Sequence, residues 1–201
     1  MLEIREVSKT YHPGTVTELR LFDRFSLTVE DGQFVSIVGS NGSGKTSLLN
    51  IICGSIPIDG GDVLVGGESI ARKKDFQRYL TMGRVYQDPS MGTCPNLTML
   101  ENLSLADNKG KPFGFTRGVN KKRVNEYRAE LERLGLGLED KLNVKMGALS
   151  GGQRQAVALL MATMTPLKFL ILDEHTAALD PKTAEVIMRL TNKVVREKRL
   201  T

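Results

Sequence analysis

Short runs of apolar and β-branched residues, bounded by turn-forming residues, occupy the first third of the chain and are typical of β-strands. Four such runs are Leu2–Val7, Phe25–Val29, Phe34–Val38 and Val63–Val65. Before the last of them, leucines and isoleucines at helical spacing predict a helix over Thr46–Cys53 that ends at Gly54. We therefore expect an N-terminal part that is rich in strands and contains one helix.

Helical patterns replace the strand-like ones from Asn96 to about Gly147. They cover Leu97–Ala106 and Arg123–Leu134, with a glycine- and lysine-rich segment between them. We expect residues 96–149 to form a helical subdomain, inserted into an α/β core made of residues 1–95 and 150–201.

The C-terminal quarter alternates between helix and strand patterns. Gly151–Met164 predicts a helix that Pro166 stops, and Phe169–Leu172 is an unbroken apolar run of the kind found in buried parallel strands. A final helix begins with Asp180 as its N-cap and Pro181 in its first turn. Its expected inward face comprises Ala184, Ile187, Leu190 and Val194. Because strands and helices alternate, we expect a mainly parallel sheet with helices on both faces.

The composition is that of one compact domain and identifies no partner. Of 201 residues 40% are hydrophobic, and 28 Lys and Arg outnumber 23 Asp and Glu, a balance that suits anionic ligands or a membrane surface. No apolar run approaches the ~20 residues of a membrane-spanning helix. Cys53 and Cys94 lie outside any metal-binding spacing, so we expect two free thiols in a reducing compartment. Stacking aromatics do not accompany the positive charges, so no nucleic-acid partner is expected.

A glycine-rich segment follows the third strand-like run and leads into the predicted helix. It consists of Gly39, Ser40, Asn41, Gly42, Ser43, Gly44, Lys45 and Thr46. The pattern GxxxxGK[ST] in this context is typical of a phosphate-binding loop, whose backbone N–H groups and helix N-terminus attract phosphate. Lys45 is expected to reach the β- and γ-phosphates, and the Thr46 hydroxyl to ligate Mg²⁺. The alternative is an ordinary glycine-rich turn with a surface lysine.

Two carboxylates, Asp173 and Glu174, directly follow the apolar run Phe169–Leu172. Ligands gather at the carboxyl ends of parallel strands, so Asp173 is expected to hold Mg²⁺ through water. Glu174 is then the candidate general base that polarises the attacking water. The alternative is a strand that simply ends in solvated acids.

A second anion-binding segment opens the helix after residue 148. It consists of Leu149, Ser150, Gly151, Gly152 and Gln153. Ser150 can cap the helix, and the glycines allow close approach of a ligand to the backbone. One phosphate loop needs no second one in the same chain, so we infer that this segment serves the nucleotide of another subunit.

With these motifs in this order, the sequence resembles the ATP-binding cassette family over essentially its whole length. The resemblance implies a P-loop NTPase core with an N-terminal antiparallel β subdomain and an inserted helical subdomain. It adds Tyr11 as the aromatic that stacks on adenine and Gln87 as a contact to Mg²⁺ and water. It also adds Asp180 as a contact to a partner subunit. The plain alternatives are an ordinary strand-end tyrosine and an ordinary loop glutamine.

The family's mechanism implies ATP and Mg²⁺ as ligands, with two ATP molecules sandwiched between two cassettes. Hydrolysis would open the sandwich and drive the membrane subunits. The implied catalytic residues are Lys45, Gln87 and Glu174, and the implied metal ligands are Thr46, Gln87 and Asp173. The implied nucleotide-binding residues are Tyr11 and Gly39, Ser40, Asn41, Gly42, Ser43, Gly44, Lys45, Thr46 and Ser47.

The segments Asp107–Gly114 and Asp173–Asp180 are similar to those of a bacterial importer subgroup associated with amino acids, in some cases tryptophan or tyrosine. This similarity implies an ATP-dependent homodimer, integral-membrane permease subunits, an extracytoplasmic solute-binding protein and a peripheral location at the cytoplasmic face of the inner membrane. It does not name the cargo, which a cassette does not touch. The alternatives are a cassette of an exporter or lipoprotein-release system, and a soluble ATPase of the same family without a transport role.

Two features depart from the family's pattern. His175 stands where most cassettes have proline, and neither His12 nor His175 is at the position of the switch histidine. We expect a truncated chain that binds ATP but hydrolyses it poorly, the alternative being a degenerate cassette.

Six basic residues and no acidic one lie between Asn108 and Arg123. They are Lys109, Lys111, Arg117, Lys121, Lys122 and Arg123. The segment is either a solvated loop or a contact to lipid headgroups or to the membrane subunit.

Overall fold

The computed structural model describes residues 1–112, 114 and 118–201, which divide into two compact units. One unit contains Met1–Met82 together with Arg199–Thr201, and the other contains Gly83–Lys198. The predicted subdomain boundaries near residues 96 and 149 stay a prediction.

The first unit is built on a four-stranded antiparallel sheet of order β2-β1-β3-β4. Its strands are β1 (Leu2–Tyr11), β2 (Leu19–Val29), β3 (Gly60–Val65) and β4 (Glu68–Ser69). Its helices are α1 (Lys45–Cys53) and the short α2 (Asp75–Arg78). Leu2 pairs with Val29 on one side and with Val65 on the other, so the alternating buried residues of β1 share one face with those of its neighbours.

The predicted strand Phe34–Val38 is wrong. Residues 33–40 form no strand, and no pairing between described strands includes them. Phe34 is 66% and Val38 90% exposed. A strand is completed by hydrogen bonds to a neighbour, so an apolar run that pairs with no neighbouring strand stays irregular.

The second unit combines a two-stranded parallel sheet with four helices. Its strands are β5 (Met82–Val85, which starts at the last residue of the first unit) and β6 (Phe169–Leu172). Its helices are α3 (Met99–Asp107), α4 (Val124–Glu132), α5 (Gly151–Thr163) and α6 (Pro181–Lys198). Single turns of 3₁₀-helix cover Pro89–Gly92, Lys121–Arg123 and Met146–Ala148.

One apolar core holds the helices of the second unit together. Its most buried members include Met99, Leu103, Leu131, Leu138, Met146, Leu159 and Ile187. Ile187 and Leu190 lie on the predicted inward face of α6, and both are buried. Thr98 and Glu101 form a capping box that fixes the start of α3.

Five helices (α1, α3, α4, α5 and α6) and β6 lie close to where the sequence predicts them, whereas α2 was not predicted. Cys53 is buried, Cys94 is exposed, and within the described residues neither forms a disulfide. Among the described residues, no helix combines the length and the apolar character needed to cross a bilayer.

Candidate nucleotide-binding and catalytic residues

The phosphate loop of the first unit closes around a lysine ammonium group. Lys45 Nζ donates to the carbonyl oxygens of Gly39 at 2.8 Å and Ser40 at 3.0 Å, and the Ser43 amide donates to the Ser40 carbonyl at 3.2 Å. α1 begins at Lys45, so the ammonium lies at the positive end of the helix, where an anion is favoured. Thr46, the next residue, is exposed.

Gly44 is required by the geometry of this loop. Its φ of +93° lies in the left-handed region, and an added Cβ would be 3.0 Å from Leu21 Cδ1. A side chain here would shift the first turn of α1 and the lysine it carries.

Tyr11 is the last residue of β1, which extends four residues beyond the predicted strand Leu2–Val7, and its ring lies near a lysine. Lys9 Nζ lies 5.6 Å from the ring centroid and pairs with Asp59 Oδ1 at 2.9 Å. Asp59 also accepts from the Thr10 amide at 2.7 Å. The hydrogen bond from Lys9, with the one from Thr10, holds the pKa of Asp59 below its usual value. The Lys9–Asp59 ion pair therefore lies beside the candidate adenine-stacking ring.

The two acids and the glutamine of the second unit follow neighbouring strands. The Asp173 amide donates to the Val85 carbonyl at 3.0 Å, and Gln87 follows two residues after Val85. The carboxyl ends of parallel strands meet at one sheet edge, so Asp173 and Gln87 emerge at the same edge. Their donor atoms are carboxylate and amide oxygens.

That set of oxygen donors fits Mg²⁺, which prefers oxygen ligands and keeps several waters. Within residues 1–112, 114 and 118–201, no three His, Cys, Asp or Glu side chains cluster as a metal site.

Sequence reasoning missed Arg84, which holds the Asp173 carboxylate. Arg84 Nη2 donates to Asp173 Oδ2 at 2.7 Å, and the two side chains are 5% and 13% exposed. The guanidinium carbon lies 4.5 Å from the centroid of the Tyr86 ring. Arg84 and Asp173 are 89 residues apart, so no local pattern could have paired them.

Glu174, the candidate general base, is exposed and has a φ of +45°. The next residue, His175, is buried, and its Nε2 lies 3.2 Å from Thr191 Oγ1. Thr191 Oγ1 donates to the Ile187 carbonyl at 2.9 Å, so His175 Nε2 is the donor in its contact with Thr191. Burial lowers the pKa of His175. His175 thus anchors the turn that leaves Glu174 free to face solvent.

The second anion-binding segment begins α5 with a capping box. Ser150 Oγ accepts from the Gln153 amide at 3.2 Å, and Gln153 Oε1 accepts from the Ser150 amide at 3.3 Å. A Cβ on Gly152 would lie 2.1 Å from Thr183 Cγ2 on α6. Gly152 is therefore required by packing within its own chain, which the sequence did not reveal.

Asp180 begins α6 as predicted. Its Oδ1 accepts from the Thr183 amide at 3.1 Å, and the hydrogen bonds from Thr183 lower the pKa of Asp180. The carboxylate is exposed at the start of the helix, so a partner could reach it.

The basic segment is not a uniformly solvated loop. Asp107, which lies just before it and is 3% exposed, forms ion pairs with Arg123 and with Lys111, the latter at 3.6 Å. The Tyr127 hydroxyl donates to Asp107 at 3.0 Å. Burial opposes ionisation of Asp107, but the bonds from Arg123 and Tyr127 outweigh it and lower its pKa. Arg117 lies outside the described residues.

Comparisons with known proteins agree on one family. A family model described as ABC transporter matches residues 22–177. The chain is 45% identical over 201 residues to a tyrosine transport ATP-binding protein of Clostridioides difficile, covering all of this chain and 80% of the relative. It is 36% identical over 203 residues to the thiamine import ATP-binding protein ThiQ of Vibrio parahaemolyticus, covering all of this chain and 78% of that relative.

Among solved structures, the chain is similar to the ATP-binding cassette MJ0796 in a dimeric post-hydrolysis state bound to ADP and Pi. The TM-score is 0.80 at 32% identity, with 98% of this chain and 84% of that chain covered. With the family model and the relatives that match along the whole of this chain, this likeness shows that the chain belongs to the ABC transporter family as an ATP-binding and ATP-hydrolysing cassette.

Proposed function

We propose that this cassette powers a bacterial importer of amino acids or similar small solutes. The observation that carries the ATP-binding role is the phosphate loop closed around the Lys45 ammonium at the N-terminus of α1. The tyrosine transport relative supports an amino acid as the cargo, and the thiamine import relative supports import as the direction. The cassette would lie at the cytoplasmic face of the inner membrane against permease subunits, supplied by an extracytoplasmic solute-binding protein.

In the proposed site, the loop amides and Lys45 hold the phosphates and Tyr11 stacks on the adenine. Bound Mg²⁺ would neutralise charge on the phosphates. Thr46, Gln87 and Asp173 are the residues that would hold it. Glu174 polarises the attacking water, and its exposed position on an anchored turn suits this role.

The segment from Leu149 to Gln153 would serve the nucleotide of a second copy, with Asp180 contacting that copy. Support comes from the two glycine-rich, helix-starting anion sites within one chain and from the dimeric state of the similar cassette. ATP would then bind between two subunits, each of which supplies half of each site.

Mixing two inactive variants tests the shared site. Lys45→Ala is expected to lose nucleotide binding at its own phosphate loop. Ser150→Arg is expected to keep a working phosphate loop but to fail to complete the nucleotide site of the partner subunit. A mixed dimer contains one intact site, so an equimolar mixture should regain turnover that neither variant shows alone. Lys193→Ala, which changes an exposed lysine on α6, is the matched control and should behave as wild type.

Turnover by Lys45→Ala alone would contradict the phosphate-loop assignment. A mixture as inactive as its components would contradict the shared site while leaving ATP binding intact. Copurification with a multispanning permease, together with a solute-binding protein, would establish import; copurification without such a binding protein would favour an exporter.

A further inference from the structure

One oxygen of the Asp173 carboxylate, the group proposed to face Mg²⁺, is already bound by Arg84. Arg84 Nη2 binds Asp173 Oδ2 at 2.7 Å, and both side chains are largely removed from solvent. A carboxylate has two oxygens, so this contact takes Oδ2 and orients Oδ1. The pair lies at the edge of the β5–β6 sheet where Gln87 also emerges.

Arg84 is itself held in place by its neighbours. Its guanidinium stacks on the Tyr86 ring at 4.5 Å, which favours a planar cation. The Tyr86 carbonyl accepts from Gln155 Nε2 at 3.0 Å, and the Gln155 side chain belongs to α5 and is 1% exposed. The contacts therefore run from the helix that follows Ser150, through β5, to the candidate metal ligand.

We infer that Arg84 is a positioning residue for magnesium: it fixes the Asp173 carboxylate through Oδ2 so that Oδ1 faces the metal-bound water. This inference rests on the proposed ATP-hydrolysing site. Arg84 touches neither nucleotide nor metal in this role and acts only through Asp173.

An alternative role would make Arg84 a competitor that Mg²⁺ must displace. Displacement would break an ion pair whose side chains are 5% and 13% exposed, and breaking a buried ion pair is costly. Water-mediated binding of Mg²⁺ needs only one carboxylate oxygen. If the Arg84 contact is kept, Asp173 can serve both the guanidinium and Mg²⁺. The positioning role therefore predicts weaker metal binding when Arg84 is removed, and the competitor role predicts tighter binding.

The test measures metal binding without hydrolysis. Mn²⁺ is titrated into the complex of the full chain with a hydrolysis-resistant ATP analogue, and free Mn²⁺ is followed by electron paramagnetic resonance. In Arg84→Gln the half-saturating Mn²⁺ concentration should rise about tenfold, the lower end for loss of a residue that orients a metal ligand. Affinity for the analogue in EDTA should not change. A competitor role predicts a lower half-saturating concentration.

Two further variants guard against a folding defect and a distant effect. Arg84→Lys keeps the buried charge but lacks the planar fork, so it should fold and show a smaller increase in the same direction. In an Asp173→Asn background, Arg84→Gln should add nothing, because the effect passes through that carboxylate.

An unchanged or lower half-saturating concentration in Arg84→Gln and Arg84→Lys, with binding in EDTA retained, would overturn the inference alone. An undiminished Arg84→Gln effect in the Asp173→Asn background would also overturn it. Wild-type protein that fails to bind the analogue, or binds it equally well as Lys45→Ala, would overturn the proposed function and this inference with it.

Discussion

Replacing Arg78 with methionine should destabilise the first unit because this side chain caps the C-terminus of α1. The guanidinium is 5% exposed and donates to the carbonyls of Ile51 and Ile52 at 2.8 and 3.0 Å, which lie in the last turn of α1. It also donates to the carbonyls of Ala71 at 2.8 Å and Lys73 at 3.0 Å. Burial lowers the pKa of Arg78, and no carboxylate is among these four acceptors. The positive charge is stabilised instead by the negative end of the helix.

The magnitude follows from the acceptors that lose their donor. A buried carbonyl left without a partner costs ~1–3 kcal/mol. The low end applies here, because water can enter part of the vacated space and the burial penalty of the guanidinium is also removed. The Ile51 carbonyl still accepts from the Gly54 amide at 3.1 Å. The other three acceptors at ~1 kcal/mol each give a loss of about 3 kcal/mol. At a urea slope of about 2 kcal/mol/M, the midpoint of unfolding should fall by about 1.5 M.

Urea denaturation followed by circular dichroism measures this loss. Arg78→Lys keeps a charge but cannot reach all four carbonyls, so about half of the loss is expected. Arg72→Met, which changes an exposed arginine nearby, is the matched control and should stay within about 0.5 kcal/mol of wild type. If Arg78→Met were no less stable than Arg72→Met, the capping argument would be refuted.

Three more outcomes follow from contacts in the second unit. Gly152→Ala should lower the free energy of unfolding by about 1–3 kcal/mol, because the added Cβ would lie 2.1 Å from the Thr183 methyl. Thr183→Ala removes that methyl and should restore most of the loss in the double variant. Thermal melts of the wild type, the two single variants and the double variant measure the coupling. Burial and the hydrogen bond to Asp107 raise the pKa of Tyr127 to about 12. The tyrosine of the unfolded chain therefore loses its proton first, and the free energy of unfolding should fall as the pH rises from about 10 to 12. This pH dependence should be absent in Tyr127→Phe. Thr191→Val removes the acceptor of His175 and should lower the turnover number more than the affinity for ATP, because the turn that carries the general base Glu174 loosens. Turnover equal to that of wild type would show that the bond does not position Glu174.

The local parts of the fold were predictable, because their determinants lie within one segment. The last helix begins at Asp180-Pro181, and Phe169–Leu172 forms β6 with the predicted bounds. Phe34–Val38 has an equally strand-like composition, but it does not become a strand because pairing depends on residues far along the chain.

Long-range contacts explain what the sequence did not show of the candidate site. Arg84 meets Asp173 across 89 residues, and Arg78 reaches the end of α1 from 26 and 27 residues away. The basic segment was defined as starting after Asn108, so it left out Asp107, the buried acid that neutralises part of its charge. The motifs could therefore be located from the sequence, whereas the groups that orient them could not.

The capping box of α5 has a consequence for assembly. Ser150 and Gln153 satisfy each other's amides within the chain, so the first turn of α5 is already ordered before a second subunit arrives. In the proposed dimer, docking at this helix would require no disorder-to-order transition. Its heat-capacity change should then reflect only the apolar area buried between the subunits. Its association rate should be that of rigid-body docking, without a slow conformational step.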